Sequence, residues 1–231
     1  MFHKIDMKDW PRREVYYYFS QMAPTGYSLT VEVDVTHLLI VTKERGFRFF
    51  PAYLWLVTKN LNRQTEFKCA VKDGAIGYYD NLTPLYATWH EETHTFSLMW
   101  TEYTDSFSDF HQAYICNQET YGGNPGILAR PELPPENAYT VSTVPWVDFK
   151  HFAVHSYENK SYYFPSVEAG RYHSENGRIL MPLSLTCHHA TTDGYHVAEF
   201  LKSLQYDILH ARPEAGRDRH EPQDALRDRD P

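Results

Sequence analysis

The sequence lacks the features that would assign it to a nucleic-acid-binding, secreted or membrane class. Its 231 residues carry a formal net charge of −8, whereas a general nucleic-acid binder presents a basic field. The three cysteines, Cys69, Cys116 and Cys187, are too few and too widely spaced for a disulfide framework or a CxxC metal site, which predicts a reducing, cytoplasmic location. No apolar run approaches the ~20 residues of a membrane-spanning helix, and residues 1–6 lack the apolar region of a signal peptide.

What the sequence has in quantity is hydrophobic and aromatic residues. They make up 42% and 16% of the chain, enough for a sizeable core at this length. No pronounced shift in composition precedes residue 210, so we predict a single domain over residues 1–210. Residues 211–231 are rich in Pro, Arg, Asp and Glu and have little to bury, which predicts a disordered polar tail. No internal repeat or glycine-rich phosphate loop is evident.

Periodicity and turn signals predict an α/β fold. Asp73-Gly74 and Asn176-Gly177 are typical of tight β-hairpins. We predict helices over residues 9–21, from residue 50, from a cap at Asp105 and over residues 195–209. We predict strands over residues 27–35, 85–89, 95–100, 139–142, 152–156, 167–173 and 178–187. Strands and helices do not alternate strictly, which favours a two-layer sandwich of a mixed β-sheet and packed helices.

Residues 187–196 (CHHATTDGYH) are the most informative segment of the chain. Two adjacent histidines end an apolar strand, and an Asp-Gly pair then opens an amphipathic helix. Alternation through Leu183, Leu185 and Cys187 puts His189 on the apolar face, where desolvation favours the neutral imidazole. A neutral imidazole at a strand–loop–helix corner is suited to take a proton from a substrate hydroxyl or thiol.

Three other interpretations of this segment remain open. His188, His189, Asp193 and His196 are residue types that bind zinc, although adjacent histidines on a strand point to opposite faces. Asp193 is also a favoured helix cap, with the histidines packed in the core. Finally, the segment could belong to a scaffold without chemistry, which the density of His, Asp and Gly within seven residues disfavours.

The motif at residues 188–197 (HHATTDGYHV) closely resembles the signature of the classical trimeric chloramphenicol acetyltransferases. The HHxxxDG pattern also occurs in dihydrolipoyl acyltransferases and in condensation domains, but the Trp-Arg-Arg and Ser-x-x-Pro-Trp segments favour the first family. The resemblance covers residues 4–209. Further segments match that family in the same order: residues 9–14 (DWPRRE), 49–51 (FFP), 70–74 (AVKDG), 95–97 (TFS), 141–147 (VSTVPWV) and 180–183 (LMPL).

The resemblance implies a chloramphenicol-acetyltransferase-like fold and O-acetylation of the 3-hydroxyl of chloramphenicol, which confers antibiotic resistance. Acetyl-CoA would be the co-substrate, and no metal would take part. His189 would act as the general base and Ser142 would donate to the oxyanion, while Arg12 and Asp193 would form a structural ion pair beside them. The family forms homotrimers, so the active sites would lie at subunit interfaces.

The resemblance also assigns the remaining site residues. The acceptor pocket departs from the family at several positions: Phe19 replaces a tyrosine, Ala129 a phenylalanine, Glu168 a threonine and Val154 a leucine. Glu168 and Ala129 keep open an acetyltransferase for a different acceptor alcohol, or a catalytically silent relative that binds a ligand. The implied acceptor-binding residues are Phe19, Thr25, Tyr27, Phe96, Ala129, Phe152, Val154 and Glu168, and the implied CoA-binding residues are Arg48, Arg171 and Tyr172.

Overall fold

The computed structural model describes residues 1–155 and 162–212. The predicted mixed α/β fold is confirmed, with a large mixed sheet and packed helices. The helices are α1 (Arg13–Tyr17), which continues as a π-helical turn over Tyr18–Met22, α2 (Thr36–Glu44), α3 (Phe49–Asn62), α4 (Phe107–Tyr121) and α5 (Gly194–Leu209), with a 3₁₀ turn at Thr65–Lys68. The strands are β1 (Phe2–Lys4), β2 (Gly26–Asp34), β3 (Cys69–Lys72), β4 (Ala75–Tyr79), β5 (Thr83–His90), β6 (Thr95–Trp100), β7 (Ala138–Val144), β8 (Ser166–Gly170), β9 (His173–Glu175) and β10 (Arg178–His188).

The main sheet has seven strands in the order β2-β10-β8-β7-β5-β6, with β9 paired to β10. The β5–β7 and β7–β8 pairs are parallel and the others antiparallel. A second sheet has the order β1-β4-β3. Both predicted hairpins are confirmed: Asp73-Gly74 joins β3 to β4 and Asn176-Gly177 joins β9 to β10, each with positive φ at both turn residues, as the twist of a two-residue hairpin requires.

The main sheet has one face covered by helices and one face turned away from them, called here the outer face. Leu183, Leu185 and Cys187 on β10 point into the core, where α3 and α5 supply the facing apolar side chains. The alternate residues Ser184 and Thr186 point to the outer face, because successive side chains of a strand point to opposite sides. The helix-facing side is therefore the apolar core, and the outer face carries hydroxyl groups.

Several predicted boundaries are wrong for local physical reasons. The helix predicted over residues 9–21 begins only at Arg13. The cap of α4 is Ser106 rather than Asp105, because the Ser106 hydroxyl accepts a hydrogen bond from the Asp109 amide at 3.2 Å. The strand predicted over residues 167–173 ends at Gly170. Helix α2 was not predicted, since β-branched residues such as Ile40 and Val41 are weak helix formers.

The predicted strand over residues 152–156 is also wrong as far as the structure describes it. Residues 151–155 form no strand, and Ser156 lies outside the described residues. The Phe152 carbonyl instead accepts a hydrogen bond from the Ser184 hydroxyl, so this segment lies against the outer face through a side-chain contact. The single domain over residues 1–210 and the tail over residues 211–231 stay predictions, since residues 213–231 are outside the described part. No helix in that part is long and apolar enough to cross a membrane.

Candidate active site

The turn between β10 and α5 holds His189 in a defined orientation. Its backbone amide donates to the Thr25 carbonyl at 2.8 Å, which ties the turn to the start of β2. Its Nδ1 lies 3.1 Å from the carbonyl oxygen of Thr192. A carbonyl oxygen can only accept, so Nδ1 carries the proton and Nε2 is left as the basic nitrogen. The geometry therefore presents an imidazole with one nitrogen able to accept a proton.

Two aromatic rings hold the plane of this imidazole. Phe19 stacks on His189 with ring centroids 4.1 Å apart and an interplanar angle of 16°. Tyr27 contacts it edge-on at 5.3 Å and 65°. The Tyr27 hydroxyl donates to Thr192 Oγ1 at 3.4 Å, and burial raises its pKa well above the usual value, so it stays protonated. Two predicted acceptor-binding residues thus lie against the predicted base within one chain.

An arginine clamps the backbone of the same turn. Arg12 pairs with Asp193 at 2.8 Å between Nη1 and Oδ2. It also donates through Nε to the Ala190 carbonyl at 3.1 Å and through Nη2 to the His189 carbonyl at 3.2 Å. The structure therefore contains the ion pair that the family resemblance implies, and one guanidinium connects residues from both ends of the chain.

Asp193 has a second contact that fixes the start of α5. Its Oδ1 accepts from the Tyr195 amide at 3.1 Å, and the Asp193 amide donates to His196 Nδ1 at 3.2 Å, which completes a capping box. Burial by itself would raise the pKa of Asp193, but the hydrogen bond from Arg12 and the electrostatic interactions with His196 and Arg12 lower it overall. The prediction that Asp193 caps this helix is confirmed.

His188 faces away from His189 and has different partners. Its ring lies edge-on to Tyr163 at 4.8 Å and 87°, and its Nδ1 accepts from the Ala190 amide at 3.1 Å. Burial, and then the neighbouring His189, lower its pKa. Within residues 1–155 and 162–212, no group of three or more His, Cys, Asp or Glu side chains is placed to hold a metal ion. The geometry gives the metal interpretation no support.

Ser142 and Glu168 are neighbours on the outer face. They are register partners on the parallel strands β7 and β8, and Ser184 on β10 is the partner of Glu168 on its other side. Glu168 is fully buried. The Ser166 hydroxyl donates to its Oε1, whereas Oε2 has no hydrogen-bond partner among the described residues. Burial raises the pKa of Glu168 to about 7.

A cavity of about 810 Å³ opens on the outer face beside the end of β10. Of the predicted residues, Thr25 and Val154 line it. The hydroxyl residues Thr140, Ser166 and Thr186 also line it and were not predicted. The signal that could have found them is the alternation of hydroxyl and apolar residues along β7, β8 and β10.

One chain does not bring every predicted residue to His189. Ser142 on β7 is in register with Ser184 on β10, which is two strands away. Ser184 lies five residues before His189. At about 3.3 Å per residue and about 4.8 Å per strand, the two sites lie roughly 19 Å apart. Phe96 is on β6, four strands from β10. Ala129 is buried beside β6, where its amide donates to the Leu98 carbonyl at 2.9 Å.

The predicted CoA-binding residues lie on the surface. Arg48 precedes α3 and is exposed, as is Arg171 after β8. The Tyr172 ring, 45% exposed, contacts Phe49 edge-on with centroids 6.3 Å apart, which places it near Arg48. The Arg171 amide donates to the Val147 carbonyl at 3.0 Å. Two cations and an aromatic ring are thus exposed in one region of the surface.

Comparisons with known proteins match nearly the whole chain. The family model for "Chloramphenicol acetyltransferase" matches residues 1–205. Relatives described as chloramphenicol acetyltransferases include one from Campylobacter coli, 37% identical over 90% of this chain and 98% of its own, and one from Clostridium perfringens, 36% identical over 89% and 97%.

Solved structures give the same fold. A chain described as chloramphenicol acetyltransferase superposes with a TM-score of 0.79 at 24% identity, covering 90% of this chain and 100% of that one. The truncated catalytic core of a 2-oxoacid dehydrogenase complex from Thermoplasma acidophilum superposes with a TM-score of 0.63 at 16% identity, covering 89% and 98%. The family match and the identity to relatives carry the assignment beyond the fold: the chain belongs to the chloramphenicol acetyltransferase family.

Proposed function

We propose that this family member acetylates the 3-hydroxyl of chloramphenicol, with acetyl-CoA as the acetyl donor. The names of its relatives support the substrate. The observation that carries the chemistry is the orientation of His189, whose Nδ1–H faces the Thr192 carbonyl and whose Nε2 is therefore the basic nitrogen. This arrangement suits a general base that must be neutral before the reaction and cationic during it.

His189 moves the proton in both halves of the transfer. Acetyl-CoA supplies the acetyl group as an activated thioester. Nε2 takes the proton of the acceptor hydroxyl as that oxygen adds to the thioester carbonyl, and the imidazolium then gives the proton to the departing thiolate. The Thr192 carbonyl stabilises the imidazolium through the Nδ1–H bond. A positioned general base of this kind contributes about 10²–10⁴ in rate.

Ser142 donates a hydrogen bond to the oxyanion formed in that addition, which is worth about 10²–10³ in rate. Because the strand register separates Ser142 from His189 within one chain, we propose that each site combines His189 of one subunit with Ser142 and Phe96 of another. A homotrimer, as in the family, would form such sites. The exposed apolar side chains of Trp89, Phe96 and Trp146 support an interface there.

Arg48 and Arg171 would bind the phosphate groups of CoA, since a guanidinium pairs with phosphate oxygens in a bidentate fork. Tyr172 would pack against the nucleotide end. The exposure of all three residues is what such a role requires. Phe19 and Tyr27 would form the acceptor pocket around His189, together with Thr25, Phe96, Ala129, Phe152, Val154 and Glu168.

The test follows release of free CoA with a thiol reagent in a mixture of protein, acetyl-CoA and chloramphenicol. His189→Ala should lower chloramphenicol-dependent release by about 10²–10⁴. His188→Asn is the matched control, because the asparagine side-chain oxygen can still accept the hydrogen bond that the Ala190 amide donates to His188. We expect it to remain within about tenfold of the parent.

A parent protein that binds acetyl-CoA and chloramphenicol without releasing CoA would refute the proposal. It would favour the second candidate, an altered acceptor or a silent ligand-binding relative. The buried carboxyl of Glu168 beside Ser142 is the feature that favours this candidate. A panel of other primary alcohols would then separate an altered acceptor from a silent protein.

A further inference from the structure

A carboxyl group lies next to the proposed oxyanion donor on the outer face. Ser142 and Glu168 are register partners, and the preceding pair, Val141 and Val167, faces the core. Both polar side chains therefore leave the sheet on the same side, from strands about 4.8 Å apart. No residue intervenes between them in the sheet, so the two side chains are direct neighbours.

Both neighbours have unused hydrogen-bonding capacity. Glu168 Oε2 is buried without a partner among the described residues, and the Ser142 hydroxyl makes no hydrogen bond within that part of the chain. A buried polar atom without a partner is uncommon and calls for an explanation. A neutral carboxyl keeps its own proton, whereas an ionised one can only accept. The Ser142 hydroxyl on the adjacent strand is a donor without another partner among the described residues.

We propose that Glu168 is a positioning residue whose protonation decides whether Ser142 is free to donate to the oxyanion. When Glu168 is neutral, the Ser142 O–H points to the reacting carbonyl. When Glu168 loses its proton to solvent, its carboxylate binds the Ser142 O–H and also repels the negative charge that forms on the oxyanion. The inference rests on the proposed function and adds a pH limit to it.

Among residues 1–155 and 162–212, no cation pairs with the Glu168 carboxyl. Burial, with a smaller contribution from Glu168, raises the pKa of the Cys187 thiol on β10 to about 12 and that of Tyr53 on α3 well above its usual value, so both stay neutral. On the segment over the outer face, His151 binds Thr30 and Lys150 pairs with Glu32. Burial therefore dominates the pKa of Glu168, and the hydrogen bond from the Ser166 hydroxyl opposes it.

The test is the pH profile of kcat/KM for chloramphenicol between about pH 5.5 and 9.5, with spontaneous thioester hydrolysis subtracted, because this profile reports ionisations of the free enzyme. The parent should lose about tenfold per pH unit above pH 7, towards a floor about 10²–10³ below the plateau. Glu168→Gln should show no fall between pH 7 and the upper end of this range, whatever the height of its own plateau. Glu175→Gln, an exposed change on β9, is the control and should behave as the parent.

Ser142→Ala provides an independent test should Glu168→Gln fail to fold. Without the donor, its activity should lie near the floor at every pH, and its fall above pH 7 should shrink to the part that repulsion by the Glu168 carboxylate causes. A parent profile that is flat above pH 7, a full alkaline fall in Glu168→Gln, or a full alkaline fall in Ser142→Ala would each overturn the inference. An absence of acetyl transfer by the parent at every pH would instead refute the proposed function, so the two failures are distinguishable.

Discussion

Replacing Arg12 by leucine should destabilise the protein and slow the reaction together. The change removes the bond to Asp193 and the bonds to the His189 and Ala190 carbonyls. The Asp193 carboxylate would then lose its counter-charge next to the turn that carries the base. Because Arg12 contacts the backbone of His189 and not its ring, we expect kcat to fall through misplacement of the imidazole rather than through loss of a reacting group.

The magnitude follows from the number and burial of these bonds. A hydrogen bond to a charged group contributes about 1.5–3 kcal/mol, and breaking a buried ion pair from one side costs about 3–5 kcal/mol. The Arg12 side chain is 14% exposed but that of Asp193 is 35% exposed, so water would solvate part of the carboxylate left behind. We therefore expect the free energy of unfolding to fall by about 3 kcal/mol, near the lower limit for a buried pair.

Urea unfolding at one fixed protein concentration measures the loss of stability, and steady-state kinetics measures the fall in kcat. Arg12→Lys keeps the charge but not the planar fork, so its loss should be intermediate. Asp193→Asn keeps a good helix cap and should lose less stability than Asp193→Ala. An Arg12→Leu protein with parental unfolding free energy would refute this reasoning. Full stability with no activity in Asp193→Ala would indicate a direct catalytic role for that carboxylate.

Three further predictions concern close contacts and pH. A Cβ on Gly77 would lie 2.3 Å from the His3 carbonyl oxygen, so Gly77→Ala should lower the urea midpoint by separating β1 from β4; an unchanged midpoint would contradict this. In Gly170→Ala the new Cβ would lie 2.8 Å from the Phe149 ring, and we expect a loss of about 1–3 kcal/mol by the same assay. The pKa of Glu168 rises from 4.5 to about 7 on folding, so its contribution to the free energy of unfolding is full below pH 4.5 and falls by about 3 kcal/mol by pH 7. Glu168→Gln should remove that slope, and an identical slope in both proteins would show that Glu168 is not its source.

The elements that sequence reasoning predicted well depend on neighbours a few residues apart. Asp-Gly and Asn-Gly turns need positive φ at both residues, a local requirement that these pairs meet. Asp193 was expected to cap α5 because its carboxylate reaches an amide two residues later. Alternation along β10 likewise placed His189 on the side where Tyr27 contacts it. Helix α2 escaped prediction because tertiary packing, rather than intrinsic propensity, stabilises it.

Some features of the site were likewise predictable from local sequence, and others depend on long-range packing. The motif at residues 188–197, with local periodicity, identified the imidazole and the helix that follows it, since both depend on short-range order. No pattern in the sequence predicts that Arg12 lies against Asp193, or that Glu168 borders Ser142. Those contacts follow from strand order and register, which are set when segments far apart in the chain bury their apolar faces together. Only that long-range pairing places a buried carboxyl group beside the proposed oxyanion donor, and only it separates that donor from the base of the same chain.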